Sequence, residues 1–134
     1  MFLSSLSYQK KIKINGKKIL LAHGAPWKNN FYFYPNLKKI WFKKIEKYKY
    51  DFIILGHTHI SMSKNLNRKK KILNPGSIGQ PRDKTCGASW MLLDTKSMRF
   101  KICRTNYNHS KIKRQIKKYD KYNLKISKYF LTCN

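Results

Sequence analysis

Apolar and polar positions alternate near the start of the chain in a way that predicts two short strands. Residues 11–14 and 18–22 flank Asn15-Gly16, the dipeptide of a tight hairpin turn. The second run ends Leu20-Leu21-Ala22-His23-Gly24, and a polar, aromatic loop then extends to Pro35. Asn36 is suited to cap a helix. Leu37, Ile40, Trp41, Ile45 and Tyr48 follow at spacings of three and four, predicting an amphipathic helix over 37–48 with its lysines outside. Phe52-Ile53-Ile54-Leu55 is a continuous apolar run closed by Gly56, the pattern of a strand buried on both faces. Two strands joined through a helix are expected to be parallel neighbours.

Further along, 68–71 reads as an exposed basic turn and 71–73 as a short strand. Residues 74–82, Asn-Pro-Gly-Ser-Ile-Gly-Gln-Pro-Arg, form a loop punctuated by glycine and proline. Residues 89–93 and 98–103 flank Asp94-Thr95-Lys96 as a second hairpin. From Ser110, Ile112, Ile116 and Tyr119 keep helical spacing, and another short helix is predicted over 124–130. Strands joined through helices give an α/β fold. Neither a repeat nor a linker divides residues 1–134, so one domain is expected.

Composition narrows the class. The chain has 134 residues, 41% of them hydrophobic, enough for a packed core and too many for a disordered chain. No apolar run reaches membrane-spanning length, and the first residues lack the pattern of a secretory signal. Cys86, Cys103 and Cys133 are odd in number and lack metal-site spacing; they read as reduced thiols of a cytoplasmic protein. The charge is extreme: 31 Lys+Arg against 5 Asp+Glu. Such a surface binds nucleic acid through its phosphates, without sequence preference. Yet lysine dominates over arginine, is spread along the whole chain, and accompanies many asparagines, isoleucines and tyrosines. Codon drift toward A and T explains that pattern without a nucleic-acid partner.

The candidate chemistry lies where the buried strands end. His57 and His59 are two apart, so an extended chain would aim both imidazoles to one side. His23 ends the neighbouring strand. Histidines converging at the carboxyl ends of buried strands lie where α/β sheets hold ligands, and neutral imidazole is a common metal ligand. Ser77 and the backbone amides of the 74–82 loop are suited to face a phosphate or simply to shape the loop. Ser77 has no evident histidine and acid partners, which argues against a nucleophilic serine. His109 follows Asn108 at a helix start and reads as a capping-region residue.

Three motifs stand in order: Leu20-Leu21-Ala22-His23-Gly24-Ala25-Pro26, Gly56-His57-Thr58-His59 and the Asn-Pro-Gly-Ser loop at 74–82. Together they resemble the C-terminal half of a calcineurin-like metallophosphoesterase, with the small YfcE-type phosphodiesterases most similar. The resemblance runs from about Ile12 to Arg104. It implies part of an αββα sandwich, two mixed sheets flanked by helices, and hydrolysis of phosphate esters by a two-metal mechanism. It implies that His23 and His57 ligate one metal and His59 the other, with Asn74, Gly76 and Ser77 in a substrate or structural loop. Nitrogen and oxygen ligation suits a divalent ion: manganese first, then iron, nickel or zinc. The family's earlier acidic motifs, Asp-x-His, Gly-Asp and Gly-Asn followed by an acid, have no counterpart before His23. Residues 1–22 contain no aspartate, glutamate or histidine. The expectation is therefore a truncated enzyme, or one half of an enzyme whose N-terminal half is a separate polypeptide. A non-catalytic scaffold, as in the retromer subunit that resembles this family, and a basic nucleic-acid binder are the alternatives.

Overall fold

The computed structural model describes residues 3–119. Elements run β1 (Gln9–Ile14), β2 (Lys17–Ala22), α1 (Lys39–Glu46), β3 (Phe52–Leu55), β4 (Ser61–Asn65), β5 (Lys71–Pro75), β6 (Ala88–Asp94), β7 (Arg99–Thr105) and α2 (His109–Tyr119). A five-stranded sheet has the order β1-β2-β3-β5-β4, and β6 and β7 form a separate two-stranded sheet. Two sheets with helices give the mixed α/β architecture expected of part of a sandwich.

β1 and β2 pair antiparallel around Asn15-Gly16, whose φ values of 49° and 72° are those of a tight primed turn. β2, β3 and β5 are parallel, with Ala22 opposite Leu55. The crossover through α1 thus delivers the expected neighbours, and it places His23 and His57 just beyond one sheet edge.

One face of the large sheet buries Leu20, Ala22, Ile53, Leu55, Met62 and Ile72 against Phe42 and Ile45 of α1 and Phe33 of the preceding loop. The other face buries Ile19, Phe52 and Leu73 beneath Met91, Leu93, Met98 and Phe100 of the hairpin. Phe52 and Ile53 are both fully buried, so β3 is covered on both faces as its apolar run required.

Local details correct several expectations. α1 is shorter than 37–48; its N-cap is Lys38, with no side-chain cap, so Asn36 does not perform that role. Phe42 faces the core, while Ile40 is 66% exposed. The stretch after His59, read only as polar, contains β4, an antiparallel edge strand that contributes Met62 to the core. Asn74 and Pro75 belong to β5 rather than to the loop. Cys103 is a free thiol, but Cys86 is disulfide-bonded, which corrects the expectation of three reduced thiols and removes the cysteine argument for a cytoplasmic compartment. α2 begins as predicted, with the Lys111 N–H donating to Asn108 Oδ1 at 2.9 Å, and none of its residues is buried. The helix predicted over 124–130 and Cys133 lie outside the described residues. No helix among the described residues is long and apolar enough to cross a membrane.

Candidate metal centre

His23 follows β2 directly, and the packing around Gly24 explains why glycine must come next. A Cβ there would collide with the Asn29 carbonyl, so the returning loop passes where any side chain would sit. Gly56 N–H donates to the His23 carbonyl at 2.9 Å, carrying the pairing of β2 and β3 one step beyond both strands. The chain then leaves extended geometry. His57 and His59 have φ of 62° and 59°, and the Thr58 N–H turns back onto the Gly56 carbonyl at 2.7 Å. The expectation that an extended backbone aligns both rings is therefore corrected: a tight turn with two left-handed residues sets their directions. Non-glycine residues in that region cost energy and mark positions held by their surroundings.

Asn74 holds this turn. It is fully buried; its side-chain N–H donates to the Gly56 carbonyl at 2.8 Å and to Thr58 Oγ1 at 3.1 Å. Its Oδ1 accepts from Gly76 N–H at 2.9 Å. Gly76 has φ of 85°, and a Cβ there would meet Ser89 Oγ at 2.8 Å. Ser77 Oγ accepts from Gln80 N–H at 3.0 Å, closing the next turn. Asn74, Gly76 and Ser77 thus knit the loop to the histidine turn.

The rings themselves divide into a pair and a neighbour. His57 Nδ1 lies 3.0 Å from His23 Nε2, with ring centroids 4.8 Å apart. His59 Nδ1 lies 3.0 Å from the Gln80 carbonyl, which can only accept; Nδ1 therefore carries the proton and Nε2 keeps its lone pair. Backbone N–H of Arg82 donates to the His59 carbonyl at 2.9 Å. Tyr32 lies against His57, with ring centroids 4.0 Å apart and planes tilted by 41°. The aromatic run alternates: Phe31 and Phe33 pack toward Trp27 and Trp41, and Tyr32 and Tyr34 stack on each other outside.

Burial first, then the positive potential of His23, His59 and Arg82, holds the His57 ring below its ordinary pKa; the Asn30 backbone carbonyl pulls the other way. That carbonyl makes no well-formed hydrogen bond, however, because His57 Nε2 is buried with no partner. His57 Nδ1 and His23 Nε2, facing each other at 3.0 Å, need a proton or a cation between them. Two nitrogens each about 2.0–2.1 Å from one ion lie about 3 Å apart, so the pair fits a shared metal. Among the described residues, no group of three or more histidine, cysteine or carboxylate side chains is close enough to hold an ion unaided. Sequence reasoning missed Thr58 and Gln80 and left the role of Tyr32 open; their contacts span loops that only the fold brings together.

The calcineurin-like phosphoesterase superfamily domain matches residues 2–98. The uncharacterized protein MJ0912 of Methanocaldococcus jannaschii is 32% identical over 137 residues, which cover 87% of this chain and 53% of that protein. The hypothetical protein PH1004 of Pyrococcus horikoshii superposes with a TM-score of 0.75 at 18% identity, over 89% of this chain and 48% of its own. A metallophosphoesterase of Sphaerobacter thermophilus gives 0.70 at 21% identity, over 89% and 56%. These two likenesses show a shared fold, and the chain spans about half the length of each relative. Matched along most of its length by the family's domain, the chain belongs to the calcineurin-like phosphoesterase superfamily.

Proposed function

We propose that residues 1–134 form the histidine-bearing domain of a metal-dependent phosphoesterase that hydrolyses phosphate esters at a two-metal centre. The observation that carries this reading is the His23–His57 pair, two imidazole nitrogens 3.0 Å apart at the end of parallel strands. His23 and His57 would hold one divalent ion, and His59 the other through Nε2. With the imidazoles joined by oxygen ligands, such a mixed set would suit manganese, iron, nickel or zinc. Bound ions supply Lewis acidity and an activated water nucleophile. The chain's own contributions are positional. Low basicity keeps His57 neutral and available near neutral pH. The Gln80 carbonyl fixes the His59 tautomer, as a partner on the far nitrogen does for metal-binding histidines. Tyr32 shields the His57 ring from solvent.

Two dications need a bridging anion, since unscreened like charges repel strongly. The described carboxylates are engaged elsewhere: Glu46 with Asn67, Asp51 with the Lys18 N–H, Asp83 with Arg104, and Asp94 with Ser97. This supports a centre whose acidic ligands come from outside the described residues, on a polypeptide segment that carries the acidic motifs. The test is hydrolysis of a chromogenic phosphodiester with manganese, with and without such a polypeptide. Negligible turnover alone and recovery on mixing are expected. Substantial turnover by residues 1–134 alone, abolished by His57→Ala, would overturn the reading that the acidic ligands come from elsewhere. The scarcity of acids also favours a second reading, a non-catalytic scaffold; failure to bind metal even with the added polypeptide would select it.

A further inference from the structure

Among the described residues, Arg82 is a cation without a counter-charge, tied by its backbone to the histidine turn. Every carboxylate among the described residues is engaged elsewhere, and Asp83, its neighbour in the chain, pairs with Arg104 instead. Among the described residues the Arg82 guanidinium makes a single hydrogen bond, Nη2 donating to Gln80 Oε1 at 3.2 Å, and the side chain is exposed. Its backbone is nonetheless fixed against the site. Arg82 N–H holds the His59 carbonyl at 2.9 Å, and the Gln80 carbonyl takes His59 Nδ1 at 3.0 Å. Residues 80–82 are therefore tied to the histidine turn from both ends of Pro81. The charge is felt at the His57 ring, where it opposes protonation.

Arginine here is also chemically selective. The chain has 31 basic residues, of which Arg68, Arg82, Arg99, Arg104 and Arg114 alone are arginine. Arg104 makes fork-type use of its guanidinium, reaching Asp83, the Ser61 hydroxyl and the Thr85 carbonyl. Arg82 has the same planar fork, four of its five N–H donors uncommitted within the described residues, and exposure to solvent next to the histidine turn. That geometry matches the oxygens of a tetrahedral oxyanion better than a lysine would.

We propose that Arg82 receives the phosphoryl oxygens of the ester and positions phosphorus over the histidine pair. The inference rests on the phosphoesterase reading for its substrate, but the anion site is testable without turnover. The experiment is titration of the isotope-labelled chain with inorganic phosphate at constant ionic strength, following the ring resonances of His57 and His59. Saturable shifts are expected, weakened about tenfold by Arg82→Ala, as fits loss of a charge-assisted hydrogen bond, and less by Arg82→Lys. Arg68→Ala, in the turn before β5 at the end of the sheet opposite the histidines, is the control for diffuse charge and should leave the response unchanged. A response unaltered in Arg82→Ala, or weakened equally by Arg68→Ala, overturns the proposal. Any residue but proline keeps the Arg82 N–H bond to the His59 carbonyl, so both variants retain that tie to the histidine turn. Broadening of the same resonances by manganese tests the metal centre separately. Phosphate binding that depends on Arg82 without such broadening supports this inference and sinks the metal centre; broadening with an Arg82-independent phosphate response does the reverse.

Discussion

Asn74 is the residue on which the histidine turn depends most directly. Its amide satisfies two oxygens of the turn and one amide of the next loop from a fully buried position. Asn74→Ala should strand those groups and cost roughly 2–4 kcal/mol, since buried polar atoms lose the desolvation they no longer recover. Urea denaturation measures it; a loss below a few tenths would show that the turn is held otherwise. Asp83 offers a pH test. Burial raises its pKa, but the Ser61 hydroxyl and N–H and the Arg104 guanidinium outweigh burial and lower it below the ordinary 3.8. A carboxyl depressed in the folded state stabilises fully above its unfolded pKa and ceases to do so as pH falls through the folded value. Stability should therefore fall more steeply below about pH 4 in the wild-type chain than in Asp83→Asn, a difference visible in thermal melts taken from about pH 5 downward. Equal slopes would remove Asp83 from the acid response.

At the scale of elements, what the sequence made legible is what burial dictates. β2 and β3 were readable because apolar runs between turn residues have few other uses, and their parallel pairing followed from the helix between them. β4 was not, because an edge strand needs only one inward residue; Ser61-Met62-Ser63-Lys64-Asn65 offers Met62 and leaves Lys64 exposed. Helix periodicity located α1 but chose Ile40 over Phe42, since a short helix without a side-chain cap leaves its start and phase weakly specified. The motifs located the candidate histidines. They did not reveal how Tyr32, Gln80 and Arg82 meet them, since those contacts depend on loops folding over the sheet edge. The 31–34 segment makes this concrete: Phe33 is 1% exposed and sits edge-on to Phe42 at 5.2 Å, while Tyr32 covers His57. Phe33→Ala should cost about 3–5 kcal/mol, the usual loss for a fully buried phenylalanine. Tyr32→Ala should leave stability nearly unchanged while exposing the His57 ring. Calorimetry on both variants, with histidine NMR on the second, would separate the packing role from the shielding role; a large stability loss in Tyr32→Ala would contradict the division.

For the molecule as a whole, the balance of charge governs behaviour more than any patch. Exposed lysines occupy α1 on one side of the large sheet (Lys39, Lys43, Lys44), Lys101 of β7 on the other, and β1 along the edge (Lys10, Lys11, Lys13). A dedicated nucleic-acid surface would gather its basic residues with exposed aromatics on one face. Here Phe31 and Phe33 turn into the core, and Tyr32 lies against His57 with Tyr34 stacked on it. A formal charge of +26 must still attract polyanions. The chain should therefore bind single- and double-stranded nucleic acid of any sequence at low salt. If six or more phosphates are neutralised, affinity should fall by roughly 10³-fold or more between 50 and 200 mM salt. Fluorescence anisotropy with several unrelated oligonucleotides would measure both properties. Because the charge is distributed, replacing any three lysines of α1 should weaken binding no more than replacing three of β1. Binding that selects one sequence, resists salt, or collapses when a single face is neutralised would show that the lysines form a recognition surface, and would move nucleic acid from incidental partner to ligand.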